Sequence, residues 1–146
     1  MSTILEPARE LPVIDDVDVV VAGGGPGGFP AAVAAARRGA KVLLIERYGI
    51  LGGLATGGLM GPLFGYAYRK TDIILGGIPV EILERLKALG GVFPDYVKQR
   101  SAIQFAPEMV KHVADHMVVE SGAKLLLHAW VVDIVRQGDR IDAVII

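Results

Sequence analysis

Residues 18–46, DVVVAGGGPGGFPAAVAAARRGAKVLLIE, decide the fold. Val19, Val20 and Val21 form a short β-branched run, as expected of a parallel strand buried on both faces. Gly23, Gly25 and Gly28 follow on G-x-G-x-x-G spacing. The first glycine permits a tight turn, the second lets the backbone approach a pyrophosphate, and the third lets the next helix pack closely on the strand. From about Gly27 to Arg38 the run is rich in alanine, which favours helix. Pro30 is tolerated there because first-turn amides have no intrahelical acceptor. Arg37 and Arg38 sit at the negative end of the helix dipole, and Gly39 suits the position just past the helix. Lys41–Ile45 reads as a second buried strand. Glu46 closes it, where a carboxylate can accept two ribose hydroxyls. Strand, glycine turn, helix, strand and acid together make the layout of a dinucleotide-binding βαβ unit.

Glycine-rich turns alone are common, but this signal is longer. Gly23, Gly25, Gly28, Ala32, Gly39, Val42 and Glu46 fit the extended fingerprint of ADP-binding βαβ units, and Glu46 lies close to the usual interval of about twenty residues after the glycines. GGGPGG, with Pro26 between the second and third glycines, and the pair Glu46-Arg47 resemble the FAD-binding start of glutathione-reductase-type flavoproteins. The continuation from Gly49 to Gly58, GILGGLATGG, is similar to a bacterial group of FAD-dependent oxidoreductases. The resemblance covers nearly all of the chain after about residue 15. It implies an α/β fold, a Rossmann-like FAD/NAD(P)-binding domain with a parallel sheet.

The resemblance also implies roles. Gly23, Gly25, Pro26, Gly27 and Gly28 form the turn whose helix holds the pyrophosphate through free amides and the dipole. Glu46 holds the adenosine ribose and Arg47 covers the adenine side. Tyr48 to Gly65 is a second glycine-rich loop that passes over the pyrophosphate towards the flavin, so Gly52, Gly53 and Thr56 are carried over as contacts. Leu51, Leu54, Leu59, Met60, Leu63 and Phe64 make this loop too apolar to be a solvated tether. Val131, in the V-x-x-I pattern Val131 to Ile134, is the candidate for a backbone amide beside the adenine. Tyr66, Tyr68 and Arg69 lie near the flavin end, and no general acid or base is assigned.

The totals exclude several classes. The 146 residues suffice for one domain with a real core, and net charge −1 with interspersed signs argues against nucleic acid or an anionic membrane surface as partner. The absence of cysteine removes disulfide exchange, thiolate metal sites and iron–sulfur clusters together. Mean hydropathy is +0.48, high for a soluble protein, which buried strands and an unsatisfied interface would explain. The longest apolar stretch, Gly49 to Tyr68, is broken by seven glycines and a proline, so no membrane span is expected. The N-terminus lacks the basic start and apolar core of a signal peptide, which makes the cytoplasm the expected compartment.

Along the chain, residues 1–16 read as an extended leader and 17–146 as the FAD-binding domain. Gly76-Gly77-Ile78-Pro79 opens a helix to about Leu89, with Ile78, Ile82, Leu86 and Leu89 on one face and Glu81 placed to pair with Arg85. Asp95, Tyr96, Lys98, Gln99 and Arg100 suggest an exposed excursion. Pro107 starts a further helix to about Ser121, with an apolar stripe from Met109 to Val118, stopped by Gly122. Lys124–Val135 then reads as one long strand, Arg136–Asp139 as a turn and Arg140–Ile146 as the returning strand of a β-hairpin. His112 and His116 share a helix face and could bind a divalent ion, but no third ligand is evident; partly exposed histidines are the simpler reading. His128 reads as a core or adenine-side residue and Trp130 as packing.

Related folds return to the parallel sheet with a strand ending in a glycine–aspartate pair, and no such segment follows the hairpin. The expectation is an apparently truncated or partner-completed domain with an exposed sheet edge that favours homo-oligomerisation. The leading function is an FAD-binding oxidoreductase, or its cofactor-binding part, acting on an unknown small molecule. An NAD-dependent dehydrogenase domain and a non-catalytic nucleotide-binding or assembly module stand as alternatives.

Overall fold

The computed structural model describes residues 2–5, 7–64, 67–68, 72–93 and 102–146. Its centre is a three-stranded parallel sheet in the order β1 (Val19–Ala22), β2 (Val42–Ile45), β7 (Lys124–Leu126). Val19 pairs with Val42 and Leu43 with Lys124, and each register runs on in step. All four residues of β2 are buried because a strand lies on either side of it. β1 is an edge strand among the described residues, so Val20 is 37% exposed rather than buried on both faces as its sequence suggested.

Helix α1 (Gly28–Arg37) crosses over from β1 to β2. Phe29, Ala32 and Val33 form its buried face, at the i, i+3, i+4 spacing of a helix packed on a sheet. Gly39, just past its end, has φ +89°, a conformation that costs glycine little. Helix α2 (Ile78–Ala88) has proline in its first turn and buries Ile82, Leu83 and Leu86. Leu89, expected on that face, is 44% exposed because it lies at the cap, beyond the last helical turn.

Helix α3 (Pro107–Ser121) begins at Pro107 and stops at Gly122, which has φ +84°. It buries Val110, Val113, Ala114, Met117 and Val118 against α1 and α2. These side chains close one core with Val42 and Leu44 of β2 and Leu51 of the loop after it. Leu44, Leu86 and Met117 have no exposed surface, and each such side chain contributes about 1.5–3 kcal/mol on leaving water. The backs of the helices are joined by ion pairs. Glu81 accepts from Arg37 of α1 at 2.6 Å and from Arg85 at 2.8 Å, and Arg85 also reaches Glu120 of α3 at 2.7 Å.

Smaller sheets complete the chain. β3 (Pro62–Phe64) pairs antiparallel with β6 (Ala102–Gln104), and β4 (Ala67–Tyr68) with β5 (Asp72–Ile73). β8 (Asp133–Gln137) and β9 (Arg140–Ile145) form the expected C-terminal hairpin around Gly138-Asp139. The single long strand expected over Lys124–Val135 is instead divided: β7 stops at Leu126 and β8 starts at Asp133. The break centres on His128, which has φ +56° and so cannot continue an extended strand.

The leader is extended, with Asp15 held by Lys124 Nζ at 2.8 Å and the preceding described residues exposed. Lys124 holds the Asp15 carboxyl below its ordinary value. No helix among the described residues is long and apolar enough to cross a membrane. The excursion expected at Asp95 to Arg100 lies outside the described residues, as do Tyr66 and Arg69.

Candidate functional site

The loops that follow β1, β2 and β7 meet at the C-terminal end of the parallel sheet, where open α/β sheets bind ligands. Gly23 continues β1 by donating to Ile45 O at 2.8 Å, then turns with φ +100°. Gly28 faces the carbonyl of Gly23 so closely that a Cβ there would lie 1.8 Å from the oxygen. Helix α1 therefore starts hard against the end of β1. Gly25 is the opposite case: a Cβ built on it meets no atom within 4 Å. The amides of Gly25 and Gly27 donate to no group among the described residues, at the positive end of the α1 dipole. A turn with free amides and open space in front of it is an anion cradle.

The second glycine loop locks onto the first. Gly52 donates to Gly24 O at 2.8 Å, and a Cβ on Gly53 would lie 2.9 Å from Gly25 Cα. Pro26 stands beside the same contact. Residues Gly53–Ala55 form one 3-10 turn, under which Thr56 is 1% exposed and donates its hydroxyl to Leu51 O at 2.6 Å. Leu51 is buried, whereas Leu54, Leu59 and Met60 are exposed; the apolar character of this loop is thus only partly spent on the core.

Glu46 is 7% exposed, and its two carboxylate oxygens are already engaged. One accepts from Gly24 N at 2.7 Å and the other from Tyr48 N at 2.8 Å. These charge-assisted bonds tie the end of β2 to the glycine turn, and each oxygen retains lone-pair capacity for a further donor. Arg47 is exposed. Its guanidinium bonds the Tyr48 hydroxyl and lies 4.3 Å from the Tyr48 ring centroid and 4.9 Å from that of Trp130.

Trp130 comes from the stretch between β7 and β8. Ala129 N donates to Glu46 O at 3.1 Å and His128 N to Tyr48 O at 3.3 Å, which pins that stretch beside Arg47. The left-handed backbone of His128 costs about 1 kcal/mol and redirects the chain towards the loop after β2. Gly49 makes room for the His128 ring, since a Cβ there would lie 2.7 Å from it. His128 and Trp130 are both exposed, not core residues as the run LLLHAWVV suggested.

Together these elements enclose a cleft of about 360 Å³, within the usual range for small-molecule sites. Gly23, Gly25 and Gly53 line one part of it, and Glu46, Arg47 and Val131 another, so six of the eleven expected residues share one space. Pro26, Gly27 and Gly28 belong to the adjoining helix start. Gly52 and Thr56 hold the second loop from behind. Tyr48 and Trp130 also line the cleft and were not singled out by spacing; the one available signal is that each adjoins an expected residue. A more open hollow of about 420 Å³ lies by Asp15, Leu43 and Lys124, against the sheet and away from the glycine turn. The His112 and His116 rings lie tilted at 47° with centroids 4.2 Å apart, and burial pushes the neighbouring Asp115 carboxyl up. No group of three or more potential metal ligands occurs among the described residues.

A family model described as FAD dependent oxidoreductase matches residues 18–146. Thiamine thiazole synthase of Methanococcus vannielii is 33% identical over 133 residues, which are 90% of this chain and 46% of that one. Dihydrolipoyl dehydrogenase of Trypanosoma brucei brucei is 51% identical over 45 residues, 31% of this chain and 9% of that one. Among solved structures, Thermovibrio ammonificans THI4 superimposes with a TM-score of 0.61 at 20% identity, over 88% of this chain and 46% of that one. The chain spans less than half the length of these relatives. The matched family, the interlocked glycine turns and the parallel sheet beneath them agree: the chain belongs to the FAD dependent oxidoreductase family, with a Rossmann-like fold and FAD as the cofactor.

Proposed function

We propose that this chain is the part of a flavin-dependent oxidoreductase that binds the ADP moiety of FAD, with residues 17–146 forming that domain and 1–16 an N-terminal leader. The observation that carries the reading is the cleft itself. It joins an amide-lined glycine turn, a buried carboxylate and Val131 at the C-terminal ends of three parallel strands. Gly25, Gly27 and Gly28 receive the pyrophosphate, with Pro26 fixing the turn. Glu46 accepts from the ribose, Val131 offers its backbone to the adenine, and Gly23, Gly52, Gly53 and Thr56 hold the two loops together.

Bound flavin supplies hydride or electron transfer, and the protein's share is to hold and orient it. The description of the matching family supports assigning the cofactor, and the relatives' names point to no single substrate. A thiazole synthase similar over 90% of this chain and a dihydrolipoyl dehydrogenase similar over 31% of it are named for different chemistry. The substrate is accordingly left as a small molecule handled outside this segment, by a second copy or a completing chain, in the cytoplasm.

The test is an absorption spectrum of the purified chain after incubation with FAD or NAD and desalting. Retention of flavin absorbance is the expected result. Retention of NAD but not FAD would transfer the site to a nicotinamide dehydrogenase, and retention of neither would refute the reading. Chromatography across a concentration series tests the oligomer: a species that stays monomeric at high concentration removes that part of the proposal.

A further inference from the structure

We infer that His112 and His116, on the outer face of α3, form a chelating site for a divalent transition-metal ion of the imidazole-preferring kind, with zinc as the reference ion. The site is separate from the cofactor cleft, which no residue of α3 lines, and it stands independently of the cofactor reading. Both histidines are exposed, and residues four apart on a helix share a face with Cβ atoms about 5–6 Å apart. Their ring centroids lie 4.2 Å apart with the rings tilted at 47°. Two imidazole nitrogens bound to one zinc ion at about 2.0–2.1 Å stand roughly 3.3 Å from each other. Rotation of the two side chains brings these rings to that span with no movement of the backbone.

The backbone that carries the pair is already fixed. Val113, Ala114, Met117 and Val118 bury the inner face of the same two turns in the core, so an ion arriving outside has only side chains to order. Neither histidine ring is hydrogen-bonded among the described residues, which leaves ring nitrogens available to ligate. The surrounding charge suits a cation. The Lys111 ammonium is taken up by Glu108 at 2.7 Å, and the Arg85 guanidinium by Glu120 at 2.7 Å. Asp115, which adjoins His116 and lies three residues after His112, accepts no hydrogen bond and joins no ion pair among the described residues. Its carboxylate therefore adds uncompensated negative charge beside the two rings, as outer-shell carboxylates do at histidine sites. With two protein ligands the remaining positions fall to water, so the ion is exchangeable. Magnesium, which seeks oxygen ligands, gains little there.

The chain has three histidines, at 112, 116 and 128, and no cysteine, so zinc meets few competing ligands. The experiment adds zinc chloride to the untagged chain and follows the histidine ring protons by NMR beside a calorimetric titration. One ion per chain should bind, moving the resonances of His112 and His116 (assigned by their loss in H112A and H116A) and leaving those of His128 in place. Each alanine variant should weaken zinc roughly tenfold or more, and D115N about threefold, less than a buried outer-shell carboxylate would. Magnesium should give no binding. Zinc should raise the unfolding midpoint of the parent but of neither alanine variant, because the rings share a face only in the folded helix. Without metal both variants should unfold as the parent does, since these side chains are exposed. Equal zinc affinity in the parent and both alanine variants, or zinc-induced shifts at His128 alone, would overturn the site. FAD retention should be the same in parent and variants, so the metal site and the cofactor reading can fail separately.

Discussion

The carboxylate of Glu46 accepts a 2.7 Å hydrogen bond from the amide of Gly24, twenty-two residues earlier in the chain. The residue proposed to bind ribose is therefore also the clamp that ties the end of β2 to the glycine turn. Glu46→Ala should reduce FAD affinity by about 1.5–3 kcal/mol through the lost charge-assisted bonds. It should also destabilise the fold by about 2 kcal/mol, because the Gly24 and Tyr48 amides lose their acceptor. Calorimetric affinity and denaturant unfolding measured side by side check both; a variant with unchanged affinity would remove the ribose role.

Gly25→Val separates binding from folding. Since a Cβ at this position meets nothing within 4 Å, unfolding should shift little. The branched side chain would occupy the space in front of the free amides, so FAD affinity should fall by about 3 kcal/mol, roughly 100-fold. Normal retention of FAD by this variant would place the site elsewhere.

Gly28→Ala should do the reverse. Its methyl group would lie 1.8 Å from the Gly23 carbonyl oxygen, a contact that only backbone movement relieves. A loss of about 2–4 kcal/mol is expected, in the range of other severe steric changes. Chemical denaturation of Gly25→Val beside Gly28→Ala gives the comparison directly.

Acid should weaken the contacts between the helices. The hydrogen bond from Arg37, with that from Arg85, holds the Glu81 carboxyl down at about 2, against an ordinary value of 4.5. A carboxylate with a depressed folded value stabilises the fold above its unfolded value and loses that contribution as pH falls through the folded one. Stability should therefore decline between about pH 5 and pH 2. Glu81→Gln should cost about 1 kcal/mol at neutral pH and flatten that decline, as melting temperature against pH would report.

Much of the fold is legible because its signals are local. The glycine spacing, the alanine-rich helix and the prolines at residues 79 and 107 each act within a few positions of the chain, and β1, α1, β2, α2 and α3 lie where they indicate. The failures share another cause. LLLHAWVVDIV is mostly apolar, with Val131, Val132, Ile134 and Val135 β-branched, and nothing local marks His128 as the residue that takes a left-handed backbone. Trp130 reads as packing until Arg47 and Tyr48, more than eighty residues earlier, come to lie beside it. The Glu81–Arg85 pair is legible from its helical spacing, but Arg37 and Glu120 join it only through tertiary packing. Of the residues proposed to hold the cofactor, the glycines and Glu46 follow from spacing, while the second loop's role as a brace for the first emerges only once Gly52 and Gly24 are seen bonded.

Helix α1 has an ion pair at one end and the glycine turn at the other. Arg37, in its last turn, is fastened to Glu81, while its first turn meets open space at the glycine turn, about 15 Å away along the axis. That distance exceeds the screening length of about 8 Å at physiological ionic strength. Protonating Glu81 thus changes the field at the anion cradle little, and an anion arriving there does little to the titration of Glu81. The acid limit of the fold and the affinity of the cleft are set at opposite ends of one helix, and selection can tune either without disturbing the other.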